Sequence, residues 1–221
     1  GRMRSRAIEF LMRSAQLLDV SPVVKYSALS LFADRFCPAL VRFQNGKRKL
    51  NCLLHPIEES NLQLFVLVSL WLSSKIHDSS PLSVKTLKSL SDKFIEDQHY
   101  TTGDLAAAEM VFLQALEFEI GTLNIAYTVV ERLLSQFKAV ARSGEDVAFE
   151  TCADIMDLLY ENEATSDLYS TPLTVVAYLI SIRPQKWEFP VLPWAQFATS
   201  CRDEEIVDYV KIILKHIFRP N

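Results

Sequence analysis

An all-α fold, arranged as two tandem five-helix repeats that each surround a central apolar helix, is what this chain predicts. Three observations point to it. Glycine and proline supply only 5 and 9 of 221 residues, about half their usual share and too few for the turns of an all-β sandwich. Apolar residues recur at helical spacing along most of the chain. Each half also carries one segment that is apolar on every side, which suits the middle of a helical bundle. With 49% hydrophobic and 23% charged residues the composition is that of an ordinary globular protein. A chain of this length buries roughly 70% of the surface its unfolded form exposes.

Residues 3–18 read as the first helix, with Met3, Ala7, Phe10, Leu11 and Ser14 stacked on one face. Ser21 followed by Pro22 predicts an N-cap with proline at the first helical position, and the second helix continues to residue 36. A polar loop around Lys47, Arg48 and Lys49 leads to a third helix starting near Glu58. Within it, nine of the eleven residues 62–72 are apolar. Ser80 and Pro81 open a fourth helix through Val84, Leu87, Leu90 and Phe94, and Thr102 caps a fifth over 104–116. Residues 121–124 then interrupt the pattern, dividing a first repeat, 1–120, from a second, 121–221. The second set reads as 125–140, 147–161, 172–182, 192–200 and 204–218, with its third member again the most apolar. Trp187, Phe189 and Trp194, set among Pro184, Pro190 and Pro193, suggest an aromatic lid over the second repeat.

Several function classes drop out. Cys37, Cys52, Cys152 and Cys201 lie 15, 100 and 49 residues apart, so no metal site or redox pair is expected and the cysteines read as small buried hydrophobes in a reducing compartment. The histidines at 55, 77, 99 and 216 are scattered, and no Gly-rich phosphate loop, GxSxG or HExxH occurs. The expectation is therefore no enzyme, no cofactor, no metal and no small-molecule substrate. The longest apolar stretch falls well short of the ~18 residues of a membrane span, and no leader pattern precedes the first helix, so an intracellular protein, nuclear or cytoplasmic, is expected. A net charge of −4 weighs against nucleic acid, which demands a basic face. Three dipeptides, Ser21-Pro22, Ser80-Pro81 and Thr171-Pro172, are potential phosphate acceptors, and all sit where helices are expected to start, where capping accounts for them.

The informative residues are charges inside apolar rows. Leu64, Val68, Trp71 and Lys75 follow one another at spacings of 4, 3 and 4, and Glu109 shares a face with Leu105, Phe112, Leu113 and Leu116. Arg4 continues the stripe of Ile8, Leu11 and Ala15, while Asp34 lies on the side of Leu31 and Cys37. Such charges need partners. They either pair internally, Arg4 with Asp34 and Lys75 with Glu109, or Lys75 and Glu109 end at the surface to bond the main chain of another protein. Periodicity leaves both readings open.

These residues fall within segments that resemble the cyclin box. The opening MRSRAIEFLMRS, then YSALSLFADRF with its Asp-Arg-Phe triplet, LQLFVLVSLWLSSK ending in Ser-Lys, and AEMVFLQALEFEI with its glutamate and terminal Leu-x-Phe-acid are similar to the signatures of cyclin-box helices one, two, three and five. They occur in order at the expected separations, and the ten-helix organisation extends the likeness over essentially the whole chain. Stretches such as NLQLFVL, FEIGTLNIAYT and MDLLYENE look most like the J-type plant cyclins.

The resemblance implies that Arg4, Asp34, Leu64, Lys75 and Glu109 are the five signature residues. Arg4 and Asp34 would form an internal salt bridge. Lys75 and Glu109 would face a cyclin-dependent kinase, bonding the backbone near its regulatory helix, with Leu64 and the rim residues Ile76, His77 and Asp78 in the same interface. That rim departs from the family's usual aromatic followed by two acids. The family's substrate-docking patch is degenerate here: Arg6 and Ala7 stand at its apolar positions and Arg13 where an acid is usual, while Met3, Phe10 and Gln63 keep its character. The implied role is a cyclin-like regulatory subunit that activates a Ser/Thr kinase in cell-cycle control. The alternative is a cyclin-fold scaffold or transcription-factor-like adaptor that binds a helix or nucleic acid without activating a kinase.

Overall fold

Helix α3 (Glu59–His77) is the axis of the first half of the chain. Its sequence is apolar all round, so the remaining helices pack about it: α1 (Arg2–Leu17), α2 (Pro22–Leu29), α4 (Val84–Phe94) and α5 (Thr102–Ala115) all contact it. The computed structural model describes residues 2–40, 53, 57–120, 126–140, 149–161, 191–200 and 202–217. The chain divides into two units, Gly1–Leu123 and Asn124–Asn221. Every regular element among the described residues is helical.

Within the first unit Leu64 to Val68 and Leu70 are sealed from solvent, together with Ile8, Leu11, Leu29, Leu31, Leu105 and Phe112. The centre is aromatic. Phe36 stacks on Phe112 with ring centroids 4.3 Å apart and lies 4.8 Å from Phe65, joining the end of the second helical segment to α3 and α5.

Helix α2 does not run on as a regular α-helix to residue 36. After Leu29 it widens into a π-helical stretch, Ser30–Phe36, in which the Cys37 amide reaches back to the Phe32 carbonyl. A wider turn advances the phase of the side chains. Leu31, Phe32 and Phe36 stay buried while Asp34 turns outward and is exposed, although α-helical spacing places Asp34 on the buried side.

The helix starts also correct the sequence reading. Ser21 precedes Pro22 at the start of α2, yet its hydroxyl makes no cap; it donates instead to Oδ1 of Asp78 at 3.4 Å. Ser80 and Pro81 do not open α4, whose cap is Ser83, with Oγ accepting from the Thr86 amide. Thr101, not Thr102, caps α5: its hydroxyl accepts from the Asp104 amide at 3.1 Å while the Asp104 carboxylate takes the Thr101 amide at 2.7 Å. This reciprocal box satisfies two amides that a helix start otherwise leaves unpaired.

The second unit holds α6 (Ala126–Val140), α7 (Phe149–Glu161), α8 (Val191–Thr199) and α9 (Asp203–Ile217). Val130, Leu133, Leu134 and Phe137 of α6 are buried, as are Cys152, Met156, Leu159 and Tyr160 of α7 and Ile206 and Ile213 of α9. Trp194 packs its ring 5.2 Å from that of Phe137. The expected apolar helix 172–182, Trp187, Phe189, Thr171 and the basic run 47–49 lie outside the described residues.

Candidate functional site

Lys75 is in the last turn of α3 and Glu109 in the middle of α5, two helices that pack on each other. The apolar rows below the charges do this. Leu64, Val68, Leu105 and Phe112 are sealed in the core, so the next positions along each row come to the surface side by side. There Lys75 Nζ donates to Glu109 Oε1 at 2.5 Å, with the two side chains 38% and 19% exposed. The ammonium also lies 3.6 Å from the centroid of the Trp71 ring, one turn back on the same helix, where the negative face of the indole holds the cation.

The pair is therefore neither buried nor free. An ammonium carries three donors and a carboxylate two oxygens, and their mutual bond occupies one of each. What remains can donate to a carbonyl and accept from an amide, the groups a helix end leaves unsatisfied. Beside the pair two large apolar side chains are turned outward, Ile76 at 45% exposure and Met110 at 49%. His77 is exposed and Asp78 half-buried. The sequence reading missed Trp71 and Met110 as parts of this surface, although Trp71 stands four residues before Lys75 and Met110 directly follows Glu109.

Leu64 has no place on this surface. It is completely buried, because it occupies the mid-helix turn of α3 that the other helices enclose; its expected membership of an interface is corrected to a core position. On α1, Ala7 and Phe10 also face inward, leaving 0% and 9% exposed, so neither offers a docking surface. Of the remaining members of that patch, Met3 is exposed and Gln63 half-buried. Arg6 is exposed but tied to Glu59 at 2.6 Å, and the Arg13 guanidinium lies 4.7 Å over the Phe94 ring.

Arg4 and Asp34 both act on the Cys37 thiol, which burial pushes up to about 11, while Arg4 pulls it down and Asp34 raises it. The two charges are thus gathered at one place. Nη1 of Arg4 is buried and makes no hydrogen bond.

Among the described residues no three metal-ligating side chains gather, and no helix there is long and apolar enough to cross a membrane.

Residues 1–121 match the model of the cyclin N-terminal domain. Over its full length the chain is 51% identical to Cyclin-J18 of Arabidopsis thaliana, covering 97% of that protein. It is 46% identical to Cyclin-J18-like of Oryza sativa subsp. japonica, over 99% of this chain and 88% of that one. The X-ray structure of a viral cyclin from Herpesvirus saimiri shares its fold with a TM-score of 0.71, over 98% of this chain and 84% of the viral one, at 15% identity. A helical chain whose first unit is built about α3, with a matching N-terminal domain and full-length relatives at this identity, belongs to the cyclin family, where it is similar to the J-type plant cyclins.

Proposed function

We propose that this chain is a regulatory subunit that binds a cyclin-dependent Ser/Thr kinase and activates it by holding the kinase's regulatory helix in the active position, without performing catalysis itself. Membership of the cyclin family supports the class of function. The observation that carries the mechanism is the surface pair of Lys75 and Glu109, bonded at 2.5 Å and flanked by exposed Ile76 and Met110.

A resting kinase keeps its regulatory helix away from the nucleotide, so the ion pair that grips the phosphates cannot form. A rigid partner that binds only the inward position shifts this equilibrium. Moving it from 1:99 to 99:1 takes about 5.5 kcal/mol of differential affinity, within reach of an interface of roughly 1,600 Å². Lys75 supplies donors for main-chain carbonyls at a helix end, Glu109 accepts from amides, and the two exposed apolar side chains supply contact area. Arg4 and Asp34 serve in this reading as an electrostatic pair between α1 and the π-helical stretch.

Lys75→Ala and Glu109→Ala chains should keep their far-UV dichroism, lose at least tenfold in capture of a cyclin-dependent kinase subunit, and fail to raise its activity on a histone substrate. Undiminished capture by both variants refutes the interface. Capture without activation points to the scaffold alternative.

A further inference from the structure

Proline-directed dipeptides at residues 21, 80 and 171 are left unabsorbed by the docking surface, and the structure distinguishes the first two. Ser21 is half-buried between α1 and α2, and its Oγ is engaged 3.4 Å from the Asp78 carboxylate. A phosphoryl group there would meet a negative charge at contact distance. Ser80 is different. It lies in the non-helical segment 78–83 that joins α3 to α4, and Ser79, Ser80 and Pro81 are all exposed.

Both ends of that segment are anchored. The Leu82 amide donates to the hydroxyl of buried Ser74 at 3.1 Å, and the Asp78 amide closes the last turn of α3 on the Ser74 carbonyl at 2.9 Å. Ser21 holds the Asp78 side chain. Ser83, rather than Ser80, takes the capping duty of α4. The Ser80 hydroxyl thus stands on an outward arch, serves no described contact, and is followed by a proline that keeps it out of the helical region and in the extended form.

We infer that Ser80 is a proline-directed phosphorylation site, and that phosphate there weakens docking at the Lys75–Glu109 surface; the second half rests on the function proposed above. The Ser80 oxygen attacks the γ-phosphorus of ATP held by a proline-directed Ser/Thr kinase. The bond from that phosphorus to the bridging oxygen breaks, ADP leaves, and the hydroxyl proton passes to the kinase's base. The product carries about −1.5 to −2 charges and strong acceptor oxygens. Two residues from Asp78 and five from Lys75 along the chain, it adds negative charge to the rim that Asp78 already makes acidic.

The full chain, incubated with MgATP and a purified mitogen-activated-type proline-directed kinase, should acquire phosphate at Ser80 by mass spectrometry, with Ser21 unmodified. Ser80→Ala should abolish that peptide's phosphate, and Pro81→Ala, which keeps the hydroxyl, should cut it at least tenfold. The phosphorylated chain should then capture a cyclin-dependent kinase subunit at least threefold less than the unmodified chain. An unmodified Ser80, equal labelling of the Pro81→Ala chain, or equal capture by the two forms would overturn the inference. If even the unmodified chain captures no such kinase, the docking function fails, and the regulatory half with it, whereas labelling at Ser80 still reports on the modification site alone.

Discussion

A lysine seated over an indole ring and against a carboxylate is held in one place before any partner arrives. Lys75, Trp71 and Glu109 form such a set. Its worth to folding is small, because an exposed ion pair contributes roughly 0–1 kcal/mol and a cation over an exposed ring about 0.5–1 kcal/mol. In the docking proposed above its value is larger, since little conformational freedom is left to lose on binding. The Lys75→Ala and Glu109→Ala chains should therefore melt within about 8 °C of the parent, which separates loss of capture from loss of fold. At the same scale the thiols of Cys37 and Cys152, both pushed up to about 11 by burial, should resist alkylation. At pH 8 a rise from 9.0 to about 11 leaves roughly 90-fold less thiolate. Allowing for the greater nucleophilicity of a high-pKa thiolate, labelling of these two thiols with iodoacetamide, read peptide by peptide, should run about 10-fold slower in the folded chain than in denaturant. Equal rates in the two states would show that neither thiol is protected. The charges at Lys75 and Glu109 were legible as interruptions of apolar rows. The inward turn of Leu64, Ala7 and Phe10 follows the same apolar rows, although the resemblance implies binding surfaces for them, because a signature residue can serve the core as readily as a partner.

At the scale of single helices, capping decides where each begins. The box formed by Thr101 and Asp104 is worth about 1 kcal/mol by comparison with other caps, so Thr101→Ala should lower the unfolding free energy measured by denaturant titration by that amount. The hydrogen bonds from the Thr101 amide and hydroxyl hold the Asp104 carboxyl below its ordinary value of 3.8. A carboxyl lowered in the folded state stabilises it above the unfolded value, and that contribution fades as pH falls through the lowered one. The gap in melting temperature between the parent and an Asp104→Asn chain should accordingly be full at pH 6 and narrow as pH falls below the ordinary value of 3.8; a gap that does not narrow on acidification would remove the ionised cap from the account. Helix existence and order in the first unit were readable from periodicity. The true caps lay one to three residues from those expected at Ser80 and Thr102, since several serines and threonines near each start compete and only backbone geometry selects among them. The π-helical stretch Ser30–Phe36 was invisible for another reason: its residues have the apolar pattern of an ordinary helix, and the widened turn shows only in the folded chain, where it ends at Phe36 packed against Phe65 and Phe112.

For the molecule as a whole, two units divide the chain at residues 123 and 124. The first encloses α3 on all sides with its own helices, so a chain of residues 1–123 should fold alone, with a single cooperative melt and the helical dichroism of α1 to α5. A broad, non-cooperative transition would show that its core depends on the second unit. Composition and helical periodicity were enough to reveal the helical class and the charges that interrupt apolar rows, because these follow from which residues stand 3 or 4 apart along one chain; the order of four short motifs carried the resemblance to the family. Whether Lys75 and Glu109 meet, whether they reach solvent, and which hydroxyls near Asp78 are engaged or free depended on folding. Those are relations between residues 34 to 57 positions apart, and a contact across that distance is set by how the buried faces of different helices interlock rather than by any local pattern.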